Sequence, residues 1–239
     1  MFTRDDARTL VGIIGNVVAL VLFLSPMPTF YGICKKKSVG QYSAAPYLAT
    51  FVNCGLWVMY GLPFVHPHST LVVTINGAGL AIEIFYLSLF LAFSDGRKRA
   101  KVAAAAAGEC LFVAALGVVV MLTARTTKLR SEIVGTVCMV GNIMMYASPL
   151  AIMKVVVSTR SVEYMPFFLS LFSFLNGISW TIYALIRFDP FIAVPNGMGA
   201  VLGLAQLLLY ATFYKSSKRM EAQKKAHLEK GNGPKPNNH

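Results

Sequence analysis

N-C-G-L-W-V-M-Y at residues 53–60 and N-G-I-S-W-T-I-Y at residues 176–183 hold both tryptophans of this 239-residue chain. Trp57 and Trp180 stand 123 residues apart in matching contexts. The same offset relates Gly12 to Gly135, Ser25-Pro26 to Ser148-Pro149, and Ser38-Val39 to Ser161-Val162. After a three-residue slip, Asn76-Gly77-x-Gly79 matches Asn196-Gly197-x-Gly199 at an offset of 120. One unit has been duplicated. In a membrane, two copies of one unit are a common way to build a pathway with two gates.

Composition places that duplication in a bilayer. Hydrophobic residues make up 56% of the chain and charged residues 13%, against about 25% charged in a soluble domain. Seven long apolar segments follow one another near 9–29, 44–65, 70–93, 101–123, 131–153, 166–187 and 191–214. Each is close to the ~20 residues that cross about 30 Å of hydrocarbon as a helix. Prolines inside the first, second, fifth and sixth segments are tolerated because neighbouring helices re-satisfy freed backbone groups. A soluble bundle would need polar outer faces, which these segments lack. The first segment follows a charged stub, as a cleaved signal does. It also carries Gly12 and Ser25-Pro26 of the repeat, so it is read as a retained helix.

The net charge of +12 is distributed by loop, which sets orientation and does not point to nucleic acid. Loops after segments one, three and five carry Lys35, Lys36, Lys37, Arg97, Lys98, Arg99, Lys101, Lys154 and Arg160. The C-terminal tail adds Lys215, Lys218, Arg219, Lys224, Lys225, Lys230 and Lys235. On the other side stand Arg4, Arg8, Arg125, Lys128, Arg130 and Arg187. The positive-inside rule therefore predicts an outside N-terminus and a cytosolic C-terminus. The loop holding Arg125, Lys128 and Arg130 is the discordant one.

Segments one to three (9–93) form one triple-helix bundle and segments five to seven (131–214) the other. Segment four (101–123) is left over. A three-helix unit ends on the side opposite its start, and one extra helix restores that side, so the repeats are parallel. The expectation is an all-α membrane protein with seven transmembrane helices in a 3+1+3 arrangement, with segment four as a linker making little substrate contact. The basic tail, 215–239, is expected to be disordered, with Lys215 to Lys225 near anionic headgroups.

Several chemistries find no support. Cys34, Cys54, Cys110 and Cys138 lack C-x-x-C spacing and read as free thiols. His66 and His68 flank Pro67 in a short loop without further ligands, so no metal site is expected. The glycines near Asn76 and Asn196 sit inside apolar helices and read as packing positions. No G-x-x-x-x-G-K occurs, and no H-E-x-x-H, paired acids or Ser–His set lies in the helices, so neither ATP-driven transport nor an enzyme is expected and no cofactor is implied. A seven-helix receptor conflicts with the 3+1+3 duplication.

Asn76 and Asn196 are the leading binding candidates. Each is an amide inside an apolar helix, able to donate to and accept from a hydroxyl. Bonding a neighbouring helix is the alternative use. Asn53, Trp57 and Tyr60 share one helical face, as do Asn176, Trp180 and Tyr183. An aromatic face beside a polar group suits a sugar ring; an interfacial anchor is the alternative. Glu83 lies two turns beyond Asn76 and is a proton-coupling candidate or a structural hydrogen-bonding group.

Together, the S-P of each first helix, the W-x-x-Y of each second and the N-G-x-G of each third resemble the SWEET sugar transporters, over roughly residues 9–214. Length and charged loops are similar to plant members. A neighbouring lysosomal family carries Pro-Gln at its kinks, and none of the eleven prolines here precedes Gln. The resemblance implies that Asn76 and Asn196 contact sugar and that Trp180 and Trp57 line the pocket, with Asn53 and Cys54 as neighbours. It implies an extracellular gate of Tyr60 and Asp189, and intracellular hinge prolines at Pro26, Pro46, Pro149 and Pro166. It also implies a bidirectional uniporter working by alternating access, assembled as a homo-oligomer. The two bulky tryptophans favour a monosaccharide such as a glucose-like hexose, with a sucrose-type disaccharide or a proton-coupled carrier of another small solute as alternatives. The plasma membrane is the default location, with the vacuolar membrane second.

Overall fold

The computed structural model describes residues 3–231, with side chains described through residue 226. All regular structure among these residues is helical: α1 (Arg4–Leu24), α2 (Met27–Lys36), α3 (Ala45–Gly61), α4 (Thr70–Phe93), α5 (Gly96–Thr123), α6 (Thr127–Met145), α7 (Ala147–Thr159), α8 (Phe167–Ile186) and α9 (Pro190–Gly231). The pairs α1–α2 and α6–α7 are each one crossing broken near its middle. Pro26 and Pro149 cause the breaks, because each lacks an N–H and clashes with the carbonyl four residues back. Shortly before each proline the chain tightens, with Ser25 N bonding Leu22 O and Tyr146 N bonding Ile143 O, both at 3.1 Å. The two broken helices also end alike: Lys37 and Arg160, repeat mates 123 apart, both take the left-handed conformation, at φ 50° and 51°.

Six crossings are long and apolar enough for a bilayer by themselves. The other, α3, has 17 residues, about 26 Å at 1.5 Å per residue. Its ends show that it traverses. Near its start, Val39 N bonds Phe93 O, at the end with the basic loops. Near its finish, Arg8 Nη1 donates to His68 O at the opposite end. We call these the basic end and the Asp189 end.

In the first bundle α4 packs against α1 and α3; in the second, α9 packs against α6 and α8. Across the divide α1 meets α8, and their respective repeat counterparts α6 and α3 also meet. The contacts therefore repeat about a pseudo-two-fold axis, consistent with a 3+1+3 arrangement. The linker helix α5 leans on α3, α4 and α6. Close approach in the second bundle depends on Gly177, where an added Cβ would lie 2.6 Å from Ala200 N, and on Gly203, 2.8 Å from Phe174 Cα. Gly77 and Gly197 are different. A Cβ at Gly77 would meet no neighbour within 4 Å, and at Gly197 the nearest is Thr181 Oγ1 at 3.9 Å, so they are not the packing contacts their spacing suggested.

Two expectations are corrected, the kinks at Pro46 and Pro166 and the disordered tail. Pro46 and Pro166 do not kink helix interiors; they stand in the first turn of α3 and at the N-cap of α8, where proline costs little. The proline inside a helix is Pro195 in α9. The tail is not disordered from 215, since α9 continues to Gly231, and residues 232–239 lie outside the described part. The segment carries no Gly or Pro between 204 and 230, and Glu221 bridges Lys225 at 3.3 Å with i,i+4 spacing.

The discordant loop also has a physical reason. Arg130 donates from Nε to Ala124 O at 2.9 Å and from Nη1 to Phe64 O at 3.2 Å. It caps carbonyls at the Asp189 end, so its charge is committed to structure there.

Candidate functional site

A cavity of about 540 Å³ of empty space lies where the two bundles meet. Its walls are repeat mates: Asn53 with Asn176, Trp57 with Trp180, Asn76 with Asn196, and Val72 with Ile192. Ala19 and Asn142 are mates of unlike character, so α6 adds an amide that α1 lacks. The expected Asn76, Asn196, Trp57, Trp180 and Asn53 all reach this cavity.

The amides are arranged alike in both halves. Asn76 Nδ2 donates to Val72 O at 2.9 Å, and Asn196 Nδ2 donates to Ile192 O at 2.8 Å. A carbonyl can only accept, so each Asn turns one N–H to its own helix and keeps Oδ1 and its second N–H for a ligand. Asn53 and Asn176 each carry an Oδ1 with no hydrogen-bond partner among the described residues. Such groups are costly away from water unless something else occupies the site. Trp57 and Trp180 are 5% and 7% exposed, which removes the interfacial-anchor reading.

Toward the Asp189 end the cavity is roofed by aromatics. Trp57 meets Tyr60 edge-on at 5.4 Å, and Trp180 meets Tyr183 at 5.1 Å. Above them Tyr60 OH lies 3.0 and 2.9 Å from the two oxygens of Asp189. Asp189 also accepts from Phe191 N at 3.0 Å and so caps α9, with Pro190 as its first residue. Tyr60 and Asp189 are 0% and 3% exposed, so this mouth is shut.

Toward the basic end the path is open. A second cavity, with about 1130 Å³ of empty space, shares Asn142, Asn176 and Asn196 with the first and runs past Tyr146, Pro149 and Pro166 to Gln206. Two of the four prolines expected as hinges, Pro149 and Pro166, line it. The matching space in the first bundle is filled: Phe30 stacks on Tyr86 at 4.4 Å, and Tyr86 OH donates to Phe23 O. The mates of Glu83 and Tyr86 are Gly203 and Gln206, which line this second cavity. Tyr146, mate of Phe23, donates its hydroxyl to Pro195 O.

Two expected residues stand elsewhere. Cys54 is fully buried between α3 and α4, against Gly79, and does not line the cavity. Glu83 is 3% exposed within the first bundle, also outside the cavity lining, with Oε2 unbonded. Glu109, part way along α5, is a further intramembrane carboxylate that the sequence reading passed over. Asn176, placed by its spacing on the face of Trp180, does line the cavity, whereas Asn142, His66, Ser131 and Arg8 were passed over. The repeat offset was the available signal, since it maps 66 onto 189 and 8 onto 131. No group of three or more metal-ligating side chains occurs among the described residues.

Known proteins share this architecture. A family model described as "Sugar efflux transporter for intercellular exchange" matches residues 9–98 and again 132–218, one match per bundle. The chain is 57% identical over 230 residues to the bidirectional sugar transporter SWEET4 of Oryza sativa, covering 96% of this chain and 89% of that one. It is 57% identical over 218 residues to the bidirectional sugar transporter SWEET7 of Arabidopsis thaliana, covering 91% and 84%. The solved 3.7 Å structure of a eukaryotic SWEET transporter superposes with a TM-score of 0.86 at 39% identity, covering 89% of this chain and 99% of that one.

Proposed function

This chain belongs to the SWEET family of sugar transporters, and we propose that it is a facilitative, bidirectional sugar uniporter working by alternating access. One observation carries the reading: a cavity walled by paired asparagines and tryptophans, shut at Asp189 and open past Pro149 and Pro166. Sugar hydroxyls donate to the free Oδ1 atoms of Asn76 and Asn196, while the ring's C–H face lies against Trp57 or Trp180. The binding is weak. A few hydrogen bonds at roughly 0.5–1.5 kcal/mol net each give about millimolar affinity, near −4 kcal/mol, and a carrier must release what it binds.

The Asp189 end is assigned to the outside and the basic end to the cytosol, by the positive-inside rule. The protein then stands open to the cytosol. A plasma-membrane location and a homo-oligomeric state complete the proposal. Proton coupling is disfavoured because Glu83 does not reach the cavity. A hexose is the favoured cargo, since Asn53, Asn142 and Asn176 add amides to a waist already narrowed by two tryptophans. A disaccharide is the second reading. It is supported by the continuity of the cavity with the larger vestibule, which offers space for a second ring.

The test is uptake of radiolabelled glucose and sucrose into proteoliposomes, with and without a pH gradient, for wild type and Asn76→Ala. Glucose equilibration that ignores the gradient and falls in the variant is the expected result. Sucrose flux would replace the cargo and keep the mechanism. Gradient-driven accumulation would overturn the uniporter, and absence of all sugar flux from folded protein would overturn the transport reading.

A further inference from the structure

The shut mouth contains more than Tyr60 and Asp189. His66, in the turn between α3 and α4, brings Nε2 to 3.3 Å from Asp189 Oδ2. Its Nδ1 lies 2.6 Å from Ser131 Oγ on α6. Its ring stacks on Tyr60 with centroids 4.7 Å apart and planes 17° from parallel. One imidazole therefore touches α3, α6 and the turn before α9, which come from both bundles.

The repeat explains why it stands there. Positions 66 and 189 are mates at the offset of 123, as are 60 and 183, and 8 and 131. Mates meet where a pseudo-two-fold axis passes through the molecule. Identical ionisable residues at such a place would set like charges face to face and disfavour closure. Here one mate is Asp and the other His, so the contact across the axis pairs a donor with an acceptor. Tyr60 and Tyr183 are identical mates with different partners. Tyr60 binds Asp189, whereas Tyr183 lies beneath the Arg8 guanidinium at 4.0 Å.

We infer that His66 is a positioning residue of this gate, holding the Asp189 carboxylate under the Tyr60 hydroxyl and tying both to Ser131, and that closure selects its neutral imidazole. The tautomer protonated at Nε2 satisfies both contacts at once: N–H donates to the carboxylate, and Nδ1 accepts from the serine hydroxyl. A second proton would place a cation in a half-buried site. Arg8 of α1, His68 of the same turn and Arg130 of α6 stand nearby on the cationic side. Asp189 alone opposes them, and Tyr60 contributes a neutral phenol. Burial is the largest influence and pushes His66 below its ordinary value of 6.5, Arg8 and His68 push the same way, and Asp189 acts against them. When the gate opens, the imidazole returns to water and to that ordinary value. The sign follows by linkage. A pKa lower in the closed state means closure is fully favoured above about 6.5 and is lost as pH falls through the closed-state value. Acid on the Asp189 side opens the gate.

The inference rests on the gate reading and not on the identity of the cargo, so its test uses no sugar. Ile192, buried just below Asp189, is changed to cysteine (Ile192→Cys) in a Cys138→Ser background, in proteoliposomes. Labelling by a membrane-impermeant thiol reagent from the Asp189 side then reports opening. His66→Asn, which retains a neutral donor but cannot titrate in this range, normalises the reagent's own pH dependence. Relative to it, labelling with His66 intact is expected to rise roughly threefold to tenfold from about pH 7.5 to 5.5, the scale of one or two hydrogen bonds. His66→Ala should label faster at every pH, and Ser131→Ala should do so by a smaller factor. A pH profile with His66 intact that runs parallel to those of His66→Asn and His66→Gln would overturn the switch. Unchanged labelling at neutral pH in both His66→Ala and Ser131→Ala would overturn the positioning role. Glucose flux in the same vesicles is scored separately, so loss of the sugar assignment leaves this result readable.

Discussion

Asn76 shows how a residue can be half committed before any ligand arrives. Its N–H belongs to Val72 O, and Asn196 repeats the bond with Ile192 O. Each therefore offers one acceptor and one remaining N–H in a fixed orientation. Asn76→Ala and Asn196→Ala are expected to raise KM for sugar by about threefold to tenfold each, as loss of one acceptor implies. Equal effects in the two variants would follow from their equivalent geometry, and equilibrium-exchange kinetics measures both. At the gate, Tyr60→Phe removes a charge-assisted hydrogen bond of about 1.5–3 kcal/mol. It should leave the Asp189 mouth open in most molecules, read by labelling of a cysteine at position 192. These residues were legible because an amide or an indole stands out in an apolar helix. Cys54 misled for a geometric reason: one residue beyond Asn53, it is turned about 100° around the helix, away from the cavity and onto Gly79. His66 was set aside as a metal ligand without partners, because a turn residue's neighbours across 123 positions are not visible in its local sequence.

Among the elements, the broken pairs α1–α2 and α6–α7 are the parts that bend under the proposed mechanism. Pro149→Ala would let α6 and α7 join into one helix by restoring the bond to Met145 O. The expected outcome is a fall in Vmax with little change in KM, since Pro149 does not line the central cavity and only the swing of α7 is stiffened. Concentration-dependent uptake separates the two constants. The α8–α9 pair is built to stay rigid. Gly177→Ala would place a Cβ 2.6 Å from Ala200 N, so the helices must part, at roughly 1–3 kcal/mol. A thermal-shift measurement in detergent should register the loss. Helix existence was readable from hydrophobic length alone. The helix ends were not: Pro46 and Pro166 look like kinks in sequence, and only the approach of neighbouring elements decides whether a proline starts a helix or breaks one. The tail misled through its charge, which suggests disorder, although its Ala, Lys, Gln and Glu content is that of a good helix former.

At the scale of the molecule, two like bundles meet about an axis and differ on the two sides of the cavity. The first bundle is filled by Phe30 and Tyr86, while the second is open past Gly203 and Gln206. The vestibule therefore runs along one bundle. Where α1 meets α8, a Cβ on Gly15 would lie 3.5 Å from the Cβ of Ser179, within the range a disulfide accepts. A Gly15→Cys/Ser179→Cys double variant should lose sugar flux when oxidised and regain it on reduction, with both single variants insensitive to oxidant. Flux through the oxidised protein would show that the bundles do not move against each other along this seam.

The membrane setting, the duplication, the number of crossings and the paired Asn and Trp were all readable from the chain before any folding. These are properties of composition and spacing, and hydrocarbon thickness and helical pitch convert them into structure without further information. Folding had to supply the rest: Asn142 and Asn176 join the cavity, Cys54 and Glu83 do not, the mouth at Asp189 is shut while the other stands open, and His66 completes the shut mouth. Each of these depends on which helix faces lie against one another across the pseudo-axis. That contact arises between residues more than a hundred positions apart, and local sequence carries no record of it.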